Sequence, residues 1–397
     1  MYEQKLNIAL LLNTNKTFER KIIEGIGQYI QSTKINWTVH FEEDLQLANI
    51  KLKDFCGDGI IASFDNEQME EKLSQLHIPI VGLSGCAIQK NNNLALPYVA
   101  TDNNAITELA YHHLKNKGLQ NFAYYGFPNH DKFAFSTERE ATFLSLLEQD
   151  NYPRNIYKSD HHSAQSQQNL SLHQWLNELP KPIGIICATD NRARNIIDAC
   201  VQLNILVPEQ VSVIGVDDDD ISQNLSTIEL SSVRHNCKEI GFKATKHLHN
   251  LILGKKVPAK TIISPLDITS RQSSNFVPIQ DPYVMQALHF IQNNSHKGIK
   301  VDQVLYHLGV SRTTLEPKFV KERGHTMHTE IHYDKLNRAC HHLVTTNLPL
   351  NKVAEIAGYP SVQYMYSIFK KEFNQTPKCY RLSEQSSLTE KNYSFVG

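Results

Sequence analysis

Short apolar runs punctuate the first two thirds of the chain, spaced so that a helix fits between them. They lie at residues 8–12, 59–62, 78–81, 122–125, 183–186 and 211–214. Continuous apolar stretches of this length read as strands buried on both faces. Helical patterns fill the gaps. In residues 18–30, Ile22, Ile23, Ile26, Tyr29 and Ile30 share one face, and a second such stretch runs over 239–253. This alternation predicts an α/β architecture of parallel sheets flanked by helices. After Arg271 the texture changes. Residues 272–275 and 278–282 read as a linker. Beyond them no strand pattern occurs, and short helices lead to a polar tail from about Leu382 that is expected to fray.

The residues that follow the apolar runs carry the candidate chemistry. Leu12 precedes Asn13, Thr14 and Asn15; Leu83 precedes Ser84; Ala188 precedes Thr189, Asp190 and Asn191; Val216 opens the acidic run 217–220. Open α/β sheets take ligands beyond the carboxyl ends of their strands. Neither G-x-G-x-x-G nor G-x-x-x-x-G-K-[ST] occurs, so no phosphate cradle is present. Neutral donors with carboxylate acceptors suit a neutral polyol better than a nucleotide. The competing reading is that these residues only cap the helices that follow. An enzyme is the rival class, yet there is no G-x-S-x-G elbow; Gly82, Ser84 and Gly85 have the wrong spacing, and Cys86 reads as an inert thiol. A sugar-modifying enzyme tethered to DNA and a ligand-independent architectural protein stay open as alternatives.

Charge divides the chain. The net charge of -1 names no partner, but from Pro278 onward there are 14 Lys/Arg against 10 Asp/Glu, a mildly basic end compatible with nucleic acid. Seven scattered cysteines without a C-x-x-C pair fit a reducing, cytoplasmic compartment. The first apolar run is too short for a membrane span. His325, His328 and His332 lack a convergent further ligand, and the run 217–220 lacks the glycine of a calcium loop, so no metal and no cofactor are expected.

The basic end contains a repeat. Residues 301–319 and 350–369 each present a helix, then Gly309 or Gly358, then Ser311 or Ser361 at an N-cap position, then a second helix ending in Phe319 or Phe369. Thr326 and Thr376 follow at the same seven-residue step. Two short helices around a glycine turn form a helix-turn-helix unit whose second helix reads the major groove. In the second copy Met365, Ile368 and Phe369 keep core spacing, which turns Val362, Gln363, Tyr366 and Ser367 outward. Gln363 can pair with adenine, and Val362 and Tyr366 can pack on thymine methyls. Lys370, Lys371, Lys378 and Arg381 are candidates for phosphate.

Residues 353–359 (VAEIAGY), the triplet Phe369-Lys370-Lys371 and residues 376–381 (TPKCYR) resemble the signature of the AraC family. The part before them resembles the LacI/periplasmic-binding-protein ligand domain without that family's own DNA-binding headpiece. The resemblance implies a two-lobed sugar-binding and dimerisation domain over 1–275, a linker over 276–284, an AraC-type domain with two helix-turn-helix units over 285–385 and a flexible tail over 386–397. It also implies a transcriptional activator of sugar uptake and catabolism with D-xylose as effector, or another pentose or neutral sugar. The implied partners are a double-stranded DNA operator, a second copy of the chain in a homodimer and RNA polymerase; no membrane is involved. Matched position by position, the sugar ligands would be Asn15, Phe18, Ser84, Arg139, Thr189, Asp190 and Asp217. Those toward DNA would be Arg312, Thr313 and Glu316 in the first unit and Ser361, Val362, Gln363, Tyr366, Ser367 and Lys370 in the second. Pro317 departs from the family pattern, which has a basic or polar residue there. Proline inside a helix removes an N–H and crowds the preceding turn, so a kink is expected and the first unit should contribute less sequence specificity than the second.

Overall fold

A computed structural model of the chain describes residues 5–42, 57–64, 67–84, 96–127, 134–157, 165–279 and 281–383. The chain divides into two compact units, 1–276 and 277–397.

Among the described residues, the first unit holds two sheets. One lobe contains strands β1 (Leu6–Leu11), β2 (Trp37–Glu42), β3 (Gly59–Ser63), β4 (Ile80–Ser84), β5 (Tyr98–Thr101) and β10 (Lys260–Ile263), all parallel in the order β10-β5-β4-β3-β1-β2. The other contains β6 (Phe122–Tyr125), β7 (Ile183–Cys187), β8 (Val211–Val216), β9 (Ser231–Val233) and β11 (Ile268–Thr269), in the order β11-β9-β8-β7-β6 with β11 antiparallel. Each apolar run of the sequence forms a strand. The strands that the runs did not announce are β2, β5, β9, β10 and β11. β2 and β10 are sheet edges, where alternating or exposed positions replace a continuous apolar run, and β9 is two serines and a valine.

Helices α1 (Thr17–Thr33) and α2 (Glu67–Ser74) belong to the first lobe; α3 (Asn103–Asn116), α4 (Ala134–Gln149), α5 (Gln165–Glu178), α6 (Asp190–Gln202) and α7 (Asp220–Leu225) belong to the second. Helix α8 (Cys237–Ile252) returns to the first lobe and lies on α1. The two axes come close because a Cβ on Gly25 would stand 2.0 Å from the Lys238 carbonyl oxygen, and one on Gly241 2.0 Å from that of Ile22. Among the described residues the chain crosses between lobes after β5, after β9 and after β10. Neighbouring crossings pair through Asp102 N–H to Ile263 O at 3.1 Å and Leu266 N–H to Arg234 O at 2.8 Å.

The stretch 272–275, expected in the linker, is part of this unit. Gln272–Ser274 is a 3-10 turn with Ser273 and Ser274 fully buried. Ser273 Oγ donates to Val213 O at 2.7 Å, and Phe276 is buried beside Tyr111 and Phe122 in one core cluster. Two serines with a glutamine and an asparagine suggest a loop by composition, but each buried hydroxyl finds a partner, which removes the desolvation penalty.

The second unit is helical. Helices α9 (Pro282–Asn294), α10 (Val301–Leu308) and α11 (Arg312–Arg323) enclose Leu288, Val304, Leu315 and Phe319. Helices α13 (Leu350–Ile356) and α14 (Val362–Phe373) enclose Val353, Met365 and Phe369. Helix α12 (Met327–Thr345) serves both clusters, with Met327 and Ile331 in the first and Leu336, Ala339 and Leu343 in the second. Gly309 ends α10 at φ 63°. Gly358 takes φ 79°, and a Cβ there would meet the Ser295 carbonyl oxygen at 2.5 Å. Both glycines of the repeat are thus required by left-handed backbone, the second also by close approach. The tail 386–397 and Cys86 lie outside the described residues.

Candidate functional site

The first candidate site lies where the lobes meet. Strand β8 ends in left-handed backbone, with φ 119° at Asp217 and 49° at Asp218. Such geometry costs on the order of 1–3 kcal/mol per residue and persists only when held from outside. It is held by Asp217 N–H on Val233 O (3.1 Å), Asp218 N–H on Ser232 Oγ (3.0 Å), Asp219 N–H on Asp190 Oδ2 (2.8 Å) and an Asp218–Arg271 ion pair (2.9 Å). The Asp217 carboxylate is presented on this scaffold, with its Oδ1 3.1 Å from His235 Nε2.

Arg139, on α4, is 4% exposed. Its Nε donates to Asn103 Oδ1 at 2.8 Å, Nη1 to the Ala188 carbonyl, and Nη2 lies 3.5 Å from His235 Nε2. Asn103 is itself fixed by donating to Glu138 Oε2 at 2.7 Å. The Phe18 ring meets His235 edge-on, with centroids 4.9 Å apart. A buried guanidinium, a carboxylate, an imidazole and an aromatic face are therefore gathered from both lobes and the crossing between them. Burial lowers the His235 pKa below its ordinary value, with Asp217 opposing, so the ring is neutral; its Nδ1 is buried without a hydrogen-bond partner. The lobes are also tied directly: Thr17 Oγ1 donates to Asp219 Oδ1, and Lys21 Nζ donates to Asp218 O at 2.8 Å.

Of the sugar-ligand candidates, the structure brings Phe18, Arg139 and Asp217 into one network around His235. Asp190 has a different occupation. It is fully buried, Oδ1 accepts from Ser232 Oγ at 2.6 Å, Oδ2 accepts from Asp219 N–H, and burial followed by the Asp217 charge drives its pKa upward. Thr189 caps α6, accepting from Arg192 N–H at 3.3 Å. Ser84 is the buried last residue of β4, and Asn15 is exposed, its N–H on Asn13 Oδ1 at 3.0 Å. His235, Asn103 and Lys21 were not in the sequence reading. His235 and Asn103 lie at the lobe crossings after β9 and β5, which became visible only with those strands.

The second candidate site is the pair of recognition helices, α11 and α14. Ser311 and Ser361 are their N-caps, accepting from Thr314 N–H (3.2 Å) and Tyr364 N–H (3.1 Å). Arg312, Thr313, Ser361, Gln363, Ser367 and Lys370 are exposed, and Tyr366 is half-buried. Tyr364, absent from the sequence reading, is 48% exposed on the same helix. Three assignments change. Val362 is half-buried against the core cluster rather than outward. Glu316 is drawn into the unit, accepting from Met327 N–H at 3.2 Å and from Arg312 Nε at 3.2 Å. Arg381 donates to the carbonyls of Leu343 (3.1 Å) and Leu348 (2.7 Å), closing the end of α12 rather than awaiting phosphate. Pro317 does not break α11, which runs from Arg312 to Arg323 with the proline exposed at its middle.

Residues 7–104 match the family described as the XylR N-terminal domain, 111–274 the periplasmic binding protein-like domain and 306–383 the helix-turn-helix domain. The chain is 40% identical over 384 residues to the xylose operon regulatory protein of Escherichia coli K12, covering 96% of this chain and 98% of that one. It is 41% identical over 386 residues to the xylose operon regulatory protein of Haemophilus influenzae, covering 96% and 100%. A solved structure described as the xylose-binding transcription activator XylR superposes with a TM-score of 0.83 at 39% identity, covering 96% of this chain and 99% of that one. The chain belongs to the xylose operon regulatory protein family. Family membership joins the two sites in one function: a periplasmic-binding-protein-like α/β domain precedes a helix-turn-helix domain of the AraC type. No helix among the described residues is long and apolar enough to cross a membrane.

Proposed function

We propose that the protein is a cytoplasmic, dimeric transcriptional activator of D-xylose uptake and catabolism genes, switched by D-xylose without any cofactor. The observation that carries this reading is the likeness to xylose operon regulatory proteins along 96% of the chain. The pocket chemistry agrees with a neutral sugar. The Asp217 carboxylate accepts from two hydroxyls, Arg139 donates in a fork, and Phe18 covers the apolar face of the ring. His235 adds an uncharged ring whose Nδ1 is without a partner. The exposed polar ends of α11 and α14 enter successive major-groove segments, and a dimer presents four such helices. RNA polymerase is the partner that turns bound protein into activation.

The test is a thermal-shift and calorimetric titration with a panel of neutral sugars. D-xylose should stabilise the protein selectively. Asp217→Ala and Arg139→Ala should each weaken binding by roughly 10–100-fold, the loss of charge-assisted hydrogen bonds of about 1.5–3 kcal/mol. Selective stabilisation by a different sugar would overturn the effector assignment, and silence across the panel would overturn the sugar-binding reading altogether.

A further inference from the structure

The connection between the two units is anchored close to both ends. Phe276 is buried in the core of the first unit and Ile279 packs on the helical core of the second, which leaves Val277 and Pro278 between them. Asp281 follows. Its Oδ1 accepts from Tyr283 N–H (2.9 Å) and Val284 N–H (3.4 Å), capping α9. Its Oδ2 pairs with Lys318 Nζ at 2.7 Å, and its own N–H donates to Glu322 Oε1 at 2.9 Å. Lys318 and Glu322 stand one turn apart on α11, so a single residue at the end of the connection grips one face of the first recognition helix at two points. Lys318 also lies 5.6 Å from the Tyr283 ring centre. The Lys318 hydrogen bond holds the Asp281 carboxyl below its usual range. Helix α11 is also held by α12, through Met327, Ile331 and the Arg323–Glu330 ion pair at 3.0 Å. What sets helix α14 apart is that, among the described residues, Asp281 does not bond to it. Helix α14 packs into the cluster of α12 and α13, and its Glu372 meets His332 of α12 at 3.3 Å.

We propose that Asp281 is a positioning residue that sets the seating of α11 against the end of the connection, so that the effector signal reaches DNA through the first helix-turn-helix unit. The proposal rests on the effector reading given above. A pull on Val277 and Pro278 moves Asp281, and Asp281 carries Lys318 and Glu322 with it. Helix α14, held by α12 and α13, keeps its base contacts, so the first unit is the regulated one and the second the constant one.

The variants that test this are Asp281→Asn and Lys318→Gln in the full chain. Asparagine caps a helix as well as aspartate, so Asp281→Asn keeps α9 and removes only the charge toward Lys318. The DNA probe is a duplex recovered by repeated selection of a random-sequence pool on the wild-type protein with D-xylose. Each variant should lower the sugar-linked gain in affinity at least threefold, about the smallest change resolvable in a coupling of 5–150-fold. The double variant should lose no more than either single one, and the thermal shift with D-xylose should stay at the wild-type value. A merely structural role would weaken binding equally with and without sugar, leave the gain intact and overturn the proposal. Whether D-xylose is the effector is read separately from the wild-type thermal shift. Should another sugar give that shift, the same comparison is made with it. In sugar-bound protein the half-site read by α11 should lose protection in Asp281→Asn while the half-site read by α14 keeps it; unchanged protection at both would overturn the proposal whichever sugar is the effector.

Discussion

The Nε2 atom of His235 stands 3.1 Å from Asp217 Oδ1 and 3.5 Å from Arg139 Nη2, between an anion and a cation. Burial sets its protonation, pulling the pKa below the ordinary value of about 6.5. The folded protein therefore holds the neutral ring, and in the range below about 6.5 the unfolded chain binds a proton that the folded chain does not. The stability this residue contributes is complete above that value and is lost as the pH falls through it. His113, His247 and His342 are shifted in the same direction, and the raised pKa of Asp190 acts with the opposite slope. Only the difference between wild type and a neutral replacement isolates His235. The melting temperature of wild type should drop more between about pH 7.5 and about pH 5.5 than that of His235→Gln, and sugar affinity should follow the same pattern. Parallel melting curves for the two proteins would contradict the assignment.

At the scale of elements, Pro317 sits in the middle of α11 and withholds the N–H that the Thr313 carbonyl would accept. An interior proline costs a helix about 3 kcal/mol relative to ordinary residues. Pro317→Lys restores the N–H and adds an exposed cation to α11, so it should tighten operator binding, with Pro317→Ala separating the backbone gain from the charge. Unchanged or weaker binding by Pro317→Lys would refute the expectation that the proline limits the first unit. The same helix illustrates how much was legible beforehand. The N-cap serines, the glycine turns, the closing Phe319 and the core spacing of Met365, Ile368 and Phe369 follow from sequence, because capping and periodicity are local. The capture of Glu316 by the Met327 N–H and of Arg381 by two carbonyls depends on how helices pack, which spacing does not encode. In the first unit the central strands were plain as apolar runs, whereas β2, β9 and β10 were hidden by edge exposure and by buried serines. His235 was hidden with them, since it follows β9 at a lobe crossing.

At the scale of the whole molecule, the proposal makes the lobe contacts Thr17–Asp219 and Lys21–Asp218 and the grip of Asp281 on α11 the two ends of one pathway. A sugar moves this system only through its unequal affinity for the states it selects. Linkage then makes the effect reciprocal: if D-xylose tightens DNA, DNA must tighten D-xylose by the same factor. The most direct measurement is the affinity of the full chain for the selected duplex with and without saturating D-xylose, paired with the affinity for D-xylose with and without the duplex. The account predicts gains of about 5–150-fold that agree in both directions. Equal DNA affinity with and without the sugar would contradict it.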